Sequence, residues 1–260
     1  MINESKTLYI PLYGKSFVSK KGIIIRDKKA EEIWEKEGFS LGGKSKSKWL
    51  AYFMGMRAAV IDKWLSERLF EKPESTVLHI GCGLDSRIKR VNAPFGIWYD
   101  IDLPEVIEIR RGYFSETEKY KMLGASAMET SWLSEIPDAE KVLIVMEGIS
   151  MYLSEDAIKN LFAAISEKFP SAEIIMDAYT TLAVKASKYK NPINEVGAGA
   201  FLGIDEPKIF VDEKLRFTDE ICMTPDEMIN ELSGFEKVFF KKMFAGSFAK
   251  KLYKIYTYRK

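Results

Sequence analysis

Cysteine, histidine and net charge are all scarce in this chain of 260 residues. Its two cysteines, Cys82 and Cys222, lie far apart, which argues against a disulfide framework and fits a reducing, cytoplasmic setting. The single histidine, His79, falls inside an apolar run, so it is expected as a satisfied core residue. No imidazole base is then at hand, and no metal site is expected. Lys plus Arg (39) nearly cancels Asp plus Glu (38), for a net charge of +1. A broad nucleic-acid or anionic-membrane surface needs concentrated positive charge, so neither partner is expected, although a local basic patch stays open. No run approaches the roughly 20 apolar residues that span a bilayer. The opening MINESKTLYIPLYGK lacks an apolar core and a small-residue cleavage site, so no signal peptide is expected. Internal repeats and low-complexity tracts are absent too.

What is present is apolar substance: 47% of the residues are hydrophobic and 13% aromatic, enough for one large α/β domain over 1–260. Residues 1–45 are mixed, with Ile23, Ile24 and Ile25 ahead of a charged helix at 27–37 and a Gly- and Lys-rich loop. Leu50, Phe53, Met54, Ile61, Trp64, Leu65 and Leu69 recur at the helical period, which predicts a helix over 48–70 ended by Pro73. Beyond it, strand-like runs at 76–80, 96–101, 141–146 and 173–177 alternate with helices. The helix at 154–169 has Ser154 as its cap and Glu155 and Asp156 in its first turn. This alternation predicts a mostly parallel sheet covered by helices. The expected plan is a helical N-terminal cap (1–72), a sheet core (73–184 and 216–260), and an unperiodic insertion or lid (185–215). Near the end, Thr224-Pro225-Asp226-Glu227 reads as a helix start with Thr224 as cap, and Gly234 as its stop. The stretches FEKVFFKKM and KKLYKIYTYRK read as a terminal strand hairpin.

The stretch TVLHIGCGLDSR, residues 76–87, ends a strand in two glycines. Ligands of open α/β sheets sit beyond the carboxyl ends of the strands, and glycine lets the backbone approach them closely. A dinucleotide fingerprint wants a third glycine where this chain has Ser86. Asp100 and Asp102 lie about 20 residues on, the distance of an acid that accepts hydrogen bonds from ribose hydroxyls. Together they suggest a nucleoside ligand without requiring a diphosphate. Asp85 is read as a possible cap of the following helix, and Glu147 ends the apolar KVLIVM run close to the presumed ligand. Arg57 continues the apolar stripe of the 48–70 helix. It must snorkel, pair with a core acid, or meet an anionic ligand group, because an unpaired buried charge is costly.

VLHIGCGLDSRIKRV, WYDIDLPEVIEIRR and VMEGISMYL together resemble the leucine carboxyl methyltransferase family, in its branch of bacterial polyketide-synthesis O-methyltransferases of the tetracenomycin type. The resemblance runs from about Tyr13 to the end and is strongest between residues 76 and 155. It implies a class I, Rossmann-like methyltransferase fold with seven strands, the last pair antiparallel, and S-adenosylmethionine as cofactor. By motif, Gly81, Cys82 and Gly83 should approach the methionine part of that cofactor, Asp102 or alternatively Asp100 its ribose, and Arg57 its carboxylate with help from Lys15. Glu147 should sit near the methionine end. Where the family often holds adenine with an acid and an apolar residue, GASAMETSW offers Ser126 and Ala127, and Glu129 is easily misread as the missing acid.

Methyl transfer from a sulfonium is an in-line displacement that asks for alignment and exclusion of water. An ionised carboxylate acceptor needs no base, which tilts the expectation toward an O-methyltransferase acting on a carboxylate or acidic hydroxyl of a small, polyketide-like molecule. The acceptor walls are expected at 9–17, at Tyr179 and in 185–215 with Tyr189, Phe201 and Phe210; the oligomeric state is not legible. Arg57→Ala is expected to lose cofactor affinity with little loss of fold. The alternatives are a nicotinamide-dependent oxidoreductase and a nucleoside-binding protein without catalysis.

Overall fold

The computed structural model describes residues 8–39, 41, 43–190 and 202–260, without the side chains of 44 and 187–190. Its centre is a seven-stranded sheet in the order β3-β2-β1-β4-β5-β7-β6. The strands are β1 (Thr76–Ile80), β2 (Trp98–Asp102), β3 (Tyr120–Gly124), β4 (Lys141–Met146), β5 (Ser171–Tyr179), β6 (Arg216–Ile221) and β7 (Tyr253–Arg259). The first five run parallel; β7 lies antiparallel between β5 and β6. This is the expected α/β architecture with antiparallel terminal strands.

The central strands are buried on both faces, which is why they read as unbroken apolar runs. Alternate residues divide between two cores. In β4, Leu143 and Val145 join the core beneath the N-terminal helices, whereas Val142, Ile144 and Met146 join the opposite one. Helices α1 (Tyr9–Lys21), α2 (Lys28–Glu37) and α3 (Lys48–Glu71) build the first cover. On the other face, α6 (Glu155–Lys168) buries Ile158, Leu161, Phe162 and Ile165. Its N-cap is Ser154, whose Oγ accepts from the Ala157 N–H at 3.1 Å, as the sequence suggests.

Helix α1 is not legible in YIPLYGK because Pro11 and Gly14 look like breakers. Pro11 sits in the first turn, where no intrahelical partner awaits its missing N–H. Gly14 is there for contact: a Cβ on it would lie 2.7 Å from Met54 Cβ, and one on Gly55 would lie 2.8 Å from Val18 Cγ2. The two helices touch almost backbone to backbone at this pair. Gly55→Val is expected to cost about 1–3 kcal/mol, the range for overpacking, with the urea midpoint as readout. An unchanged midpoint would show that the α1–α3 contact yields easily.

Three local readings need correction. Residues 235–243 are not a strand but the core of helix α9 (Gly234–Phe244). Short apolar runs fit both periods, and here Phe240 is the buried member, edge-on to Tyr52 with ring centroids 6.1 Å apart. The strand paired with β7 is β6, whose mostly exposed, charged character suits a sheet edge. The short helix α8 (Asp226–Ile229) is capped at Pro225 without a side-chain bond, not at Thr224. Gly234, at φ +51°, begins α9 rather than stopping a helix. Two further helices, α4 (Arg87–Arg90) and α5 (Pro104–Arg111), follow β1 and β2; α7 (Thr181–Lys190) follows β5.

Candidate active site

The chain leaves β1 toward β2 on one side of the sheet, and β4 pairs on its other side, so the topology switches between the carboxyl ends of β1 and β4. Crevices of this kind hold the ligands of open α/β sheets. A cavity of about 160 Å³ lies there. Its floor is Gly81, Cys82 and Gly83, its roof comes from Leu8 and Ile10 with Leu50 and Met54 of α3, and Tyr152, Tyr179 and Tyr253 close the far side.

Gly81 and Gly83 have φ of +71° and +50°, a backbone that side chains rarely adopt. A Cβ on Gly81 would lie 2.7 Å from Ile149 Cδ1. The turn is pinned to β2: Gly81 N–H donates to the Ile101 carbonyl at 2.7 Å, and Gly83 N–H donates to Asp102 Oδ2 at 2.7 Å. Asp102 Oδ1 accepts from the Leu103 N–H at 2.8 Å. Burial raises the Asp102 carboxyl above its ordinary range, against these two backbone bonds, which lower it. Each of its oxygens keeps a second lone pair.

Asp100 is different. It is fully buried, and its four acceptor positions are filled by His79 Nδ1 (3.0 Å), Trp98 Nε1 (2.9 Å), Tyr120 Oη (2.6 Å) and Arg110. Asp100 thus has no lone pair left for a ribose hydroxyl, whereas Asp102 does; neither side chain lines the cavity. His79 is the satisfied core residue the sequence suggests, held against Asp100.

Above the glycine turn lies a continuous chain of buried charges. Lys15 Nζ is 3.1 Å from Asp85 and 3.9 Å from Glu147. Arg57 donates from Nη2 to Glu147 at 2.9 Å, and from Nη1 to Asp177 at 2.9 Å and the Tyr253 hydroxyl at 2.6 Å. Of the three fates open to Arg57, pairing with core acids is thus realised. Four of its five N–H groups are engaged, counting Nε to Glu147. Arg87 reaches Asp85 and Glu147; Arg90 reaches Asp27, Asp62 and Asp85. Although burial opposes ionisation, the cations hold the Glu147 and Asp85 carboxyls below their ordinary range. Asp177 stays raised, because burial outweighs Arg57 there.

Asp85 therefore pairs with cations instead of capping α4, whose first cap position, Ser86, makes no side-chain cap bond. Cys82 is buried, which pushes its thiol up and leaves it a poor nucleophile. Ser126 and Ala127 follow β3 beside the end of β2, tied there by the Ala125 N–H to the Asp102 carbonyl at 2.8 Å. Neither lines the cavity; Glu129 is exposed. Of the suggested acceptor walls, Tyr179 lines the cavity, whereas Phe210 is core, edge-on to Phe162 at 5.8 Å. Tyr189 and Phe201 lie outside the described side chains.

Sequence reasoning missed Arg87, Asp177 and Tyr253. Asp177 ends an apolar run as Glu147 does, and Arg87 stands directly behind the glycine turn beside Asp85; both signals were available. Nothing local marks Tyr253.

This strand order with a glycine turn at the switch point is the class I methyltransferase fold, and structural comparison agrees. The N-methyltransferase NodS of Bradyrhizobium japonicum WM9, solved with S-adenosyl-L-homocysteine, superposes with a TM-score of 0.51 at 15% identity, over 80% of this chain and 87% of that one. The magnesium protoporphyrin IX methyltransferase ChlM of Synechocystis PCC 6803 does so with a TM-score of 0.52 at 11% identity, over 95% and 97%. The protein is an S-adenosylmethionine-dependent methyltransferase. The sequence model of leucine carboxyl methyltransferase matches residues 3–166, and the chain belongs to that family. Among its relatives, the tetracenomycin polyketide synthesis O-methyltransferase TcmP of Streptomyces glaucescens is 31% identical over 184 residues, 70% of this chain and 68% of that protein. The S-adenosyl-L-methionine-dependent methyltransferase dpfgK of Gibberella zeae is 26% identical over 180 residues, 64% of this chain and 60% of that protein. The nicotinamide alternative finds no support among these relatives.

Proposed function

We propose that the protein transfers a methyl group from S-adenosylmethionine to a carboxylate or hydroxyl oxygen of a small, polyketide-like molecule. The observation that carries this reading is the cavity itself, which is charged along one end and apolar and aromatic along the other. Its charged lining is two cations (Lys15, Arg57) and two carboxylates (Asp85, Glu147), which suits the carboxylate and ammonium of a methionine end. The glycine turn lets Ile149 and Leu8 close onto the backbone, where a Cβ would meet them at 2.7 and 2.9 Å.

In this reading Lys15 and the free N–H of Arg57 face the cofactor's carboxylate and Glu147 its ammonium. The backbone at Gly81, Cys82 and Gly83 lies along the methionine. Asp102 accepts from the ribose hydroxyls with its remaining lone pairs, and Ser126 and Ala127 border the adenine. The bound cofactor supplies an electrophilic methyl. The acceptor enters beside Tyr152 and Tyr179, and the roof of Leu8, Ile10, Leu50 and Met54 keeps water out. Burial holds the Tyr152 and Tyr253 phenols above their ordinary range, so neither is a base; the Tyr253 proton already goes to Asp177 at 2.5 Å, which leaves Tyr152 as the donor that orients an oxygen. With His79 bound to Asp100, an acceptor that arrives ionised suits this site best.

Calorimetry tests the cofactor. S-adenosylmethionine should bind and NAD should not. Asp102→Ala should weaken binding about a hundredfold, because removing a hydrogen-bonded charged partner costs about 1.5–3 kcal/mol. Loss of the Asp102 bond to Gly83 contributes to that figure. Wild-type affinity in Asp102→Ala would remove this residue from the site. Screening carboxylic acids and phenols with a labelled methyl donor tests the acceptor class.

A further inference from the structure

We propose that α9 and the turn following it are a docking face for a membrane surface rich in anionic lipid, on which the protein lies without crossing it. As a helix, FEKVFFKKM is anchored through Phe240 against Tyr52 and through Phe239 against Trp49. Among the described residues nothing covers its outer side. Phe235 is 72% exposed, Val238 67%, Met243 55%, and Phe248, just beyond the helix, 66%. Phe235 and Val238 are three apart and share one helical face.

The charges around this apolar surface decide what it fits. Residues 234–251 hold five lysines (237, 241, 242, 250 and 251) and one acid, Glu236. Glu236 turns inward to Lys21, Lys48 and the Tyr52 hydroxyl. Lys241 is 2.9 Å from Asp226, and Glu227 is 3.2 Å from Lys63. Lys237, Lys242, Lys250 and Lys251 make no ion pair among the described residues. The chain's near-neutral total conceals this local excess. Exposed aromatic and aliphatic side chains ringed by free lysines are the composition of a helix that lies in a lipid interface, apolar groups among the acyl chains and ammonium groups at anionic headgroups. Among the described residues no helix is long and apolar enough to cross a membrane, so the contact is peripheral. The face adjoins the cavity roof: Phe239 stands 4.5 Å from Trp49, which precedes Leu50.

Flotation of the full chain with vesicles tests this, independently of any methyl transfer. Vesicles with about a third phosphatidylglycerol should carry the protein, and vesicles of phosphatidylcholine alone should not. Raising salt from about 0.1 M to about 1 M should release it. A triple variant, Lys242→Gln, Lys250→Gln and Lys251→Gln, should lower partitioning about a hundredfold, at roughly 1 kcal/mol for each lysine. A second, Phe235→Ser, Val238→Ser and Phe248→Ser, should lower it at least about tenfold with an unchanged unfolding midpoint. Protein that stays unbound on anionic vesicles overturns the proposal. So does a serine variant that floats like the parent. A third overturning result is light scattering in which the serine variant turns a dimer into a monomer while vesicle binding is unaltered, for the face is then an interface between copies.

Discussion

Arg57→Ala should lower the stability of the protein by about 3–5 kcal/mol and abolish measurable cofactor binding. The first effect follows from what the arginine touches. It lies 4% exposed between Glu147 and Asp177, with the Tyr253 hydroxyl on the same nitrogen as Asp177. Its loss leaves Asp177 without a cation and Glu147 with Lys15 and Arg87 alone, and breaking a buried pair costs about 3–5 kcal/mol. The sequence-based expectation of little loss of fold does not survive this geometry, since the side chain is the counterion of two buried acids. Arg57→Lys keeps the charge but not the fork, so it should recover part of the stability and little of the affinity. Urea unfolding measures the first effect and calorimetry the second. A variant of wild-type stability would mean that water reaches Asp177 and that Lys15 and Arg87 suffice for Glu147.

Asp100→Asn is the second large effect, and it should separate two aspartates that lie two residues apart. Asp100 neutralises the fully buried Arg110 and accepts from His79, Trp98 and Tyr120. An amide there presents an N–H where acceptors are needed and leaves Arg110 unpaired, for a loss of about 3–5 kcal/mol. Asp102→Ala, which strands the Gly83 and Leu103 N–H groups, should cost less stability, about 1–3 kcal/mol, and much affinity. The pH dependence has a defined sign. Arg110 and the hydrogen bonds, foremost that from His79, outweigh burial and hold the Asp100 carboxyl down to about 2. In the unfolded chain it titrates near about 3.9. Its contribution, about 2 kcal/mol, is therefore complete above about pH 4 and is lost as the pH falls through about 2. Asp102 and Asp177, raised by burial, act in the opposite sense. Urea midpoints at neutral and acidic pH should show a shallower acid loss in Asp100→Asn than in the parent. Equal slopes would place the acid sensitivity elsewhere.

The chemistry of the charge cluster explains why sequence patterns carry only part of a site. Glu147 and Gly81 are visible because each ends an apolar strand, and strand ends in a parallel sheet converge on one edge. Lys15 and Arg57 come from helices in front of the sheet, and the family resemblance rather than periodicity links them to the glycine turn. Tyr253 arrives from the last strand, 196 positions after Arg57, and no local spacing predicts that meeting.

By itself, the sequence determines the parallel core, because strands buried on both faces must be apolar throughout, and helices covering them must repeat at 3.6 residues. It also determines the glycine turn and the acids that close β2 and β4. Only the tertiary structure decided which aspartate stays available, since Asp100 and Asp102 differ in their partners and not in their pattern. It alone decided that residues 235–243 are a helix with one free side, because a short apolar run satisfies either period until its neighbours select one. Local spacing specifies secondary structure; the pairing of buried charges depends on which distant elements pack together, and that is a property of the whole fold.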